Sequence, residues 1–488
     1  MQPASSYEIV FQNQTDEAEG PIRHVEGVIP PELNGALLSM GPGYQTLGND
    51  PLHYYDGLPM VSGVGFRNGQ AYLRSRHVRT PLFEKETKAG RQTDRRALTQ
   101  RPGGRLKNLG SSITDPTSHD VYAWGGRIYA SGNGSHYALD PLTFDTIGPE
   151  RWGLPPNDLL CLMPRPDLEL GRLVVFGVAQ GPFGRAKLTF FELDAAMRIH
   201  RPVSVALRES ISFFHDLAFT PNWYLMIQNP LRMRVGAMLT GETSPIECFR
   251  WLEHGPVLTL VPRAGGKAIE VELPAPLKLI FHFINAYEED GQLIVDVVGE
   301  NGTIDFMSAA PPALLRRHGK VAAKVPDIST VRCVIDPRSG ALLRWHAIEG
   351  GGGEQPEVDP ARHGKRYRFG YVRAAAAVGD ELCANDPLFY HGVAKIDHDG
   401  PTVSTWSAGP RGLASHPAFI ARAGATSEDD GWLMTWVLDM DTATTSVVIL
   451  DARDLARPPV ATIHLNHRVP LPGHTRYEPG VSLFGSAS

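Results

Sequence analysis

Short apolar runs separated by turn residues fill this chain and limit what it can fold into. The 488 residues include 50 glycines and 40 prolines, which interrupt long helices and favour turns. The runs between them are rich in β-branched and aromatic residues, a composition typical of strands. Examples are the segments 71–78, 126–131, 171–179, 187–194, 222–228, 292–298, 431–439 and 444–452. The pattern predicts an all-β protein.

The predicted strands indicate one domain rather than several. They continue to the end of the chain without a clear linker, and repeats of the WD type are absent. Many short strands without a linker suit a propeller, a large barrel or a stacked sandwich. We expect one domain over residues 1–488, with residues 1–20 as a flexible N-terminal arm. A short helix is predicted at 311–319, where Pro lies near the start and Gly just past the end.

Charge and cysteine content exclude several classes of protein. The net charge is −6 and no basic stripe is visible, so we expect no nucleic-acid partner. The four cysteines are far apart and form no CxxC pair, which argues against a zinc ribbon and a disulfide framework. The first residues lack the features of a signal peptide, and no apolar stretch is long enough to span a bilayer. A cytoplasmic protein is expected, and apolar loops could give it transient contact with a membrane surface.

Three of the 18 histidines stand in apolar surroundings. His215 lies in SFFHDLAFT, His282 in LIFHFINAYEEDG and His474 in RVPLPGHTRYEP. A buried imidazole needs a partner, which is either a hydrogen-bonding group or a metal. The wide sequence separations fit no zinc-finger spacing, but a propeller could bring one residue from each blade to its axis. From the residues alone, both kinds of partner remain open.

Seven segments, taken together and in order, resemble the carotenoid cleavage oxygenases, a family that includes stilbene-cleaving enzymes. They are the segments 27–43, 53–80, 213–230, 281–298, 357–372, 422–439 and 468–479. The resemblance implies a seven-bladed β-propeller with a dome of loops and helices over one face. It also implies Fe(II) held by four histidines, three of which are paired with glutamates. The family cleaves a conjugated or styryl C=C bond with O₂ and forms two carbonyl products.

The resemblance assigns roles to individual residues of this chain. It makes His215, His282 and His474 three of the four metal ligands. It also makes Glu354, in EQPEVDP, one of the glutamates that hydrogen-bond to ligand histidines. Glutamates of this kind orient the imidazole and raise its basicity.

Four positions depart from the family pattern. Met163, in LLCLMPRPD, stands where the family has its first histidine ligand. Asn133 and His416 stand at two of the glutamate positions. His119, in DPTSHDVYAWGG, stands where the family often has a threonine near the open side of the iron. We place Met163 in the fourth ligand position and expect His119, Glu354 and His416 to act around the reacting centre.

These departures leave three possibilities for the chemistry. The chain could hold Fe(II) through three histidines together with water or His119. It could hold another metal, because thioether sulfur suits Cu(I) better than Fe(II). It could hold none and use His119, His215, His416 and Glu354 as acid–base groups of an isomerase, lyase or hydrolase. We expect the first: an Fe(II) dioxygenase for a hydrophobic apocarotenoid, stilbene or phenylpropene. A non-catalytic lipid- or pigment-binding propeller is a further alternative.

Overall fold

The computed structural model describes residues 6–181, 186–207, 214–274, 277–300, 328–348, 352–374, 390–400 and 402–485. Within these ranges, strands form where the β-branched and aromatic runs lie. Two-residue turns join several of them. Asn68–Gly69 and Asp290–Gly291 both have positive φ, between 51° and 75°, which is the backbone of a tight β-hairpin turn. The predicted helix at 311–319 lies outside the described residues.

Seven antiparallel sheets form the blades of a propeller, which confirms the predicted fold. Blade 1 contains Ala18–Ile22, Gly35–Tyr44, Leu58–Arg67, Gln70–His77 and His474–Glu478. Blade 2 contains Val121–Trp124, Arg127–Ala130, His136–Leu139 and Thr146–Glu150. Blade 3 contains Leu159–Leu160, Arg165–Asp167, Arg172–Gln180, Ala186–Leu193 and Ile199–Ala206. Blade 4 contains Leu217–Phe219, Trp223–Gln228, Val257–Pro262 and Ile269–Glu272.

The remaining blades follow in chain order. Blade 5 contains Leu279–Glu289, Gln292–Glu300, Ile328–Asp336 and Ala341–Ala347. Blade 6 contains Glu354–Glu357, Phe369–Ala374, Gly392–Asp397 and Val403–Ser407. Blade 7 contains His24–Gly27, Gly412–Ala414, Ala418–Ala421, Gly431–Asp439, Thr444–Asp451 and Ala461–His464. Two short hairpins pair Thr46–Leu47 with Asp50–Pro51 and Leu231–Met233 with Phe249–Trp251.

The two ends of the chain close the ring of blades. The last strand, His474–Glu478, pairs with Gly35–Tyr44 of blade 1, and an early strand, His24–Gly27, pairs with Ala461–His464 of blade 7. Residues of the predicted N-terminal arm also pack on the propeller. Val10 is buried, and Arg468 donates a hydrogen bond to the Ile9 carbonyl at 2.7 Å. Pairing between strands from the two ends of the chain therefore closes the ring of blades.

Apolar packing between blades forms the core. A cluster between blades 4 and 5, for example, includes Leu225, Leu260, Val295 and Val297, all almost fully buried. Because both faces of a blade contact neighbouring blades, its strands are apolar on both sides. This packing brings the innermost strands of the blades side by side around the axis.

Short helices lie outside the blades. They are the α-helices Pro81–Ala89, Arg105–Asn108 and Val235–Thr240 and the 3₁₀ helices Ser6–Phe11, Tyr54–Asp56, Ile246–Cys248 and Pro360–Arg362. The helix Pro81–Ala89 begins at Thr80, whose hydroxyl accepts a hydrogen bond from the Phe83 amide at 3.1 Å. No helix in the described part of the chain has both the length and the apolar character needed to cross a bilayer.

A buried histidine in blade 2 makes stability depend on pH. His136 donates from Nε2 to the Cys161 carbonyl at 2.9 Å, and its Nδ1 accepts from the Tyr122 hydroxyl at 2.8 Å. Burial lowers the pKa of His136 to about 3. The unfolded chain keeps the ordinary value of 6.5. As the pH falls below 6.5, the unfolded state therefore binds a proton at this histidine and the folded state does not. The free energy of unfolding decreases as a result.

We expect His136→Gln to reduce this pH dependence. Between pH 7 and pH 5 the wild-type histidine should account for about 2 kcal/mol of lost unfolding free energy. Glutamine carries no titrating proton, so the loss over this range should be smaller by that amount in the variant. Urea denaturation at both pH values measures it, and equal losses in the two proteins would contradict the expectation.

Candidate metal centre

Each blade carries a residue that either was predicted for the site or departs from the family pattern. This residue lies on the innermost strand of the blade or in the loop beside that strand. In order of blades 1 to 7 these residues are His474, His119, Met163, His215, His282, Glu354 and His416. A propeller brings such positions to its axis, although they are far apart in sequence. The fold therefore assembles a site that no local motif encodes.

Four of the imidazoles form a closed ring. The ring centroids are 4.6 Å apart for His119 and His215, and 4.7 Å for His215 and His282. They are 5.3 Å apart for His282 and His474, and 5.0 Å for His474 and His119. Across the ring, His215 and His474 are 6.2 Å apart. Nitrogen atoms of His119, His215 and His474 all lie within 4.8 Å of one another, a spacing suited to a shared metal ion.

The imidazoles offer lone pairs rather than positive charge. Burial lowers the pKa of His119 to about 3 and the pKa values of His215 and His474 well below 6.5. Neighbouring imidazoles lower them further, since two cations would repel each other. Nε2 of His119 and Nε2 of His282 are buried and have no hydrogen-bond partner among the described residues. Neutral imidazoles with unsatisfied nitrogens fit a divalent metal.

Glu354 sets the orientation of His282. Its Oε2 lies 2.5 Å from His282 Nδ1 and also accepts a hydrogen bond from the Gln355 amide at 2.9 Å. Because Nδ1 faces the carboxylate, the His282 proton resides there and Nε2 keeps its lone pair. This is the arrangement in which a carboxylate supports a metal-binding histidine.

His416 contacts His474 rather than the cavity. Its Nδ1 lies 3.4 Å from His474 Nδ1 and 3.3 Å from the Thr475 amide, which donates to it. Its Nε2 donates to the Pro356 carbonyl at 3.3 Å. Since Nδ1 of His416 is an acceptor, His474 donates from Nδ1 and keeps the lone pair on Nε2. His416 thus positions His474, as Glu354 positions His282.

Met163 is buried in blade 3, with 6 % of its surface exposed. Its sequence neighbour Leu162 lines the cavity described below, whereas Met163 is not among the described residues that line it. Asn133 borders the cavity, and its carbonyl accepts a hydrogen bond from the Leu160 amide at 2.8 Å.

A cavity of about 510 Å³ adjoins the four imidazoles. Such a volume suits a small organic ligand. Most of the wall is apolar and comes from the segments outside the blades as well as from their inner ends. The apolar side chains include Leu98, Ile113, Leu159, Leu160, Leu162, Phe176, Phe214, Met233, Ile246, Phe249 and Phe281.

Polar groups that the sequence analysis missed also line the cavity. Glu300, Gln355 and Arg373 lie beside Glu354 in its wall, together with Tyr55. Burial, and then the charge of Glu354, raise the pKa of Glu300 well above its usual range. Glu300 follows Gly299 after the strand segment 292–298, which already contains the charged Asp296, so no local signal singled it out.

The structure combines a seven-bladed propeller with a cluster of imidazoles on its axis and a mostly apolar cavity beside them. Comparison with known proteins identifies the family. The chain belongs to the family of the retinal pigment epithelial membrane protein, which includes the carotenoid cleavage oxygenases and whose model matches residues 11–479.

Characterised relatives cover nearly the whole chain. It is 30 % identical to the apocarotenoid-15,15'-oxygenase of Synechocystis, over 95 % of this chain and 94 % of that protein. It is 26 % identical to the isoeugenol monooxygenase of Pseudomonas putida, over 91 % of this chain and 92 % of that one. A solved cobalt-substituted structure of the Synechocystis enzyme superposes with a TM-score of 0.88 at 28 % identity, covering 97 % of this chain and 98 % of that one.

Proposed function

We propose that this chain is a non-haem Fe(II) oxygenase that cleaves a conjugated or styryl C=C bond with O₂. The observation that carries the proposal is the cluster of neutral imidazoles bordering an apolar cavity. Relatives named as apocarotenoid and isoeugenol oxygenases support the reaction class. The substrate would be a hydrophobic apocarotenoid, stilbene or phenylpropene.

The metal would be held by His215, His282 and His474 together with a fourth group. When bound, Fe(II) supplies a redox and Lewis-acid centre. Glu354 and His416 hold two of the imidazoles in the tautomer that presents Nε2. These two residues thus position ligands and do not line up as a proton-transfer pair.

The cavity selects the substrate. Its phenyl and aliphatic walls exclude water and favour a flat conjugated chain. Glu300 and the guanidinium of Arg373 place polar groups together in one part of a mostly apolar wall. A substrate with an oxygen at one end therefore suits the cavity better than a pure hydrocarbon.

Oxygen dependence and product analysis test the proposal. Purified, Fe(II)-loaded protein is incubated with an apocarotenal, a hydroxystilbene and isoeugenol, in air and without oxygen. We expect carbonyl products labelled from ¹⁸O₂ and no turnover without oxygen. Turnover without oxygen and in the presence of a chelator would contradict the proposal and favour acid–base chemistry on the same scaffold.

Glu354→Gln is expected to weaken metal binding. The glutamine amide is neutral, so it accepts the hydrogen bond from His282 Nδ1 without the negative charge of the carboxylate. Loss of such a charged partner lowers metal affinity about 10–100-fold. Titration of the metal-free protein with Co(II) measures the change. Glu289→Gln is the matched control, because Glu289 pairs with Arg366 on the surface at 3.1 Å. Equal affinities of the two variants would contradict the role given to Glu354.

A further inference from the structure

We infer that His119 supplies the fourth metal ligand of this chain and that Met163 does not. The inference rests on the proposed metal centre and names a residue that the family pattern would not supply. The fourth ligand would thus come from blade 2 rather than from the adjacent blade 3. Three independent observations support it.

The first observation is that His119 and His215 enter the axis in the same local structure. Each is followed by an aspartate, Asp120 or Asp216, at the start of an inner strand. Asp120 Oδ1 accepts from the Val121 amide at 2.8 Å, and Asp216 Oδ1 accepts from the Leu217 amide at 2.7 Å. Blade 2 therefore presents its histidine in the way that blade 4 presents a ligand expected from the family.

The same aspartates pair with arginines of the preceding blades. Asp120 receives Arg476 Nη2 at 2.5 Å, and Asp216 receives Arg165 Nη2 at 2.7 Å. Arg476 follows His474 by two residues, and Arg165 follows Met163 by two. The two-blade unit His474–His119 is thus built like the unit Met163–His215. This repetition makes the His119 backbone a ligand-bearing position like that of His215. It also places Met163 where His474 stands, so the choice between His119 and Met163 rests on their side chains.

The second observation is the arrangement of the rings. His119 completes a four-membered ring of imidazoles, 4.6 Å from His215 and 5.0 Å from His474 between centroids. Its Nε2 is buried with no hydrogen-bond partner among the described residues. A buried imidazole nitrogen left without a partner is costly unless a ligand satisfies it. A metal shared with the other three histidines would do so.

The third observation concerns blade 3. Met163 is buried yet is not among the described residues that line the cavity which the four histidines border. Its thioether is a soft donor that suits Cu(I) better than Fe(II). Asn133 stands where the family has a glutamate, so the carboxylate that would orient a ligand is also missing. The presence of Met163 and Asn133 at these two positions is expected if His119 has replaced the ligand of blade 3.

Co(II) titration of variants tests the inference, with absorption of the bound ion as a second readout that depends on its ligands. We expect His119→Ala and His119→Gln to lower Co(II) affinity at least about tenfold. Loss of a residue that only hydrogen-bonds to a metal ligand already lowers affinity about 10–100-fold. Both should also change the visible Co(II) spectrum. Met163→Ala, the matched control, should change neither. In His119→Gly, added imidazole should restore affinity and spectrum.

The outcomes separate two failures. If His282→Ala loses Co(II) but both His119 variants keep wild-type affinity and spectrum, the ligand assignment is wrong and the metal centre stands. If Met163→Ala changes the spectrum and the His119 variants do not, Met163 is the ligand. If the wild-type protein binds no Co(II) or Fe(II), the proposed metal centre fails as well. Urea denaturation of the metal-free variants shows whether they fold, and glutamine at 119 preserves a polar side chain of similar size.

Discussion

His282→Ala is expected to lower the Fe(II) content of the protein well below that of the wild type. His282 is the imidazole that Glu354 supports directly, with 2.5 Å between Nδ1 and Oε2. Removing it takes away a ligand and leaves the Glu354 carboxylate buried without its partner. His119, His215 and His474 would remain, and three ligands hold a metal less tightly than four.

Metal analysis after reconstitution with Fe(II) measures this effect. His346→Ala is the matched control, because His346 is exposed on the outermost strand of the same blade. The control should retain the metal content of the wild-type protein. A full equivalent of iron in His282→Ala would contradict the site and remove the basis of the oxygenase proposal.

Arg165→Met is expected to lower the free energy of unfolding by about 3–5 kcal/mol. The guanidinium forms two hydrogen bonds with Asp216, at 2.7 and 3.2 Å, and donates to the Phe283 carbonyl at 2.6 Å. It therefore ties together blades 3, 4 and 5. The Asp216 side chain is fully buried, so its charge would be left uncompensated. Loss of one partner of a buried ion pair costs about 3–5 kcal/mol.

Urea denaturation of the metal-free protein at pH 7 measures this cost without a contribution from metal binding. Arg198→Met is the control, since the Arg198 side chain is 76 % exposed while its Nε lies 2.9 Å from Asp194. An exposed pair contributes little because water screens it. Equal stabilities of Arg165→Met and the control would show that the tie between blades is unimportant.

Local sequence predicted the strands well because runs of β-branched and aromatic residues between turn residues mark them. The run 292–298 is apolar and ends near a glycine, and it forms a strand buried between neighbouring blades. The same reasoning identified His215, His282 and His474, since imidazoles amid phenylalanine, proline and leucine require a partner. Neither argument could say which histidines share one partner.

His119 and Met163 show why. Both lie near inner strands, and the resemblance alone put Met163 at the metal and His119 at its open side. Distances between imidazoles depend on how blades 1, 2 and 4 pack around the axis, which involves residues hundreds of positions apart. Glu300 was missed for the same reason, because its effect comes from the cavity that it lines and from Glu354 on the next blade.

The sequence by itself therefore determined the strand pattern, the propeller resemblance and the histidines that need a partner. These depend on side-chain chemistry and on spacing along a few residues. Only the tertiary structure decided that His119 completes the ring of imidazoles, that His416 contacts His474, and that Leu162 rather than Met163 lines the cavity. The physical reason is that a metal site requires several atoms within a few ångströms, and the packing of whole blades sets those distances.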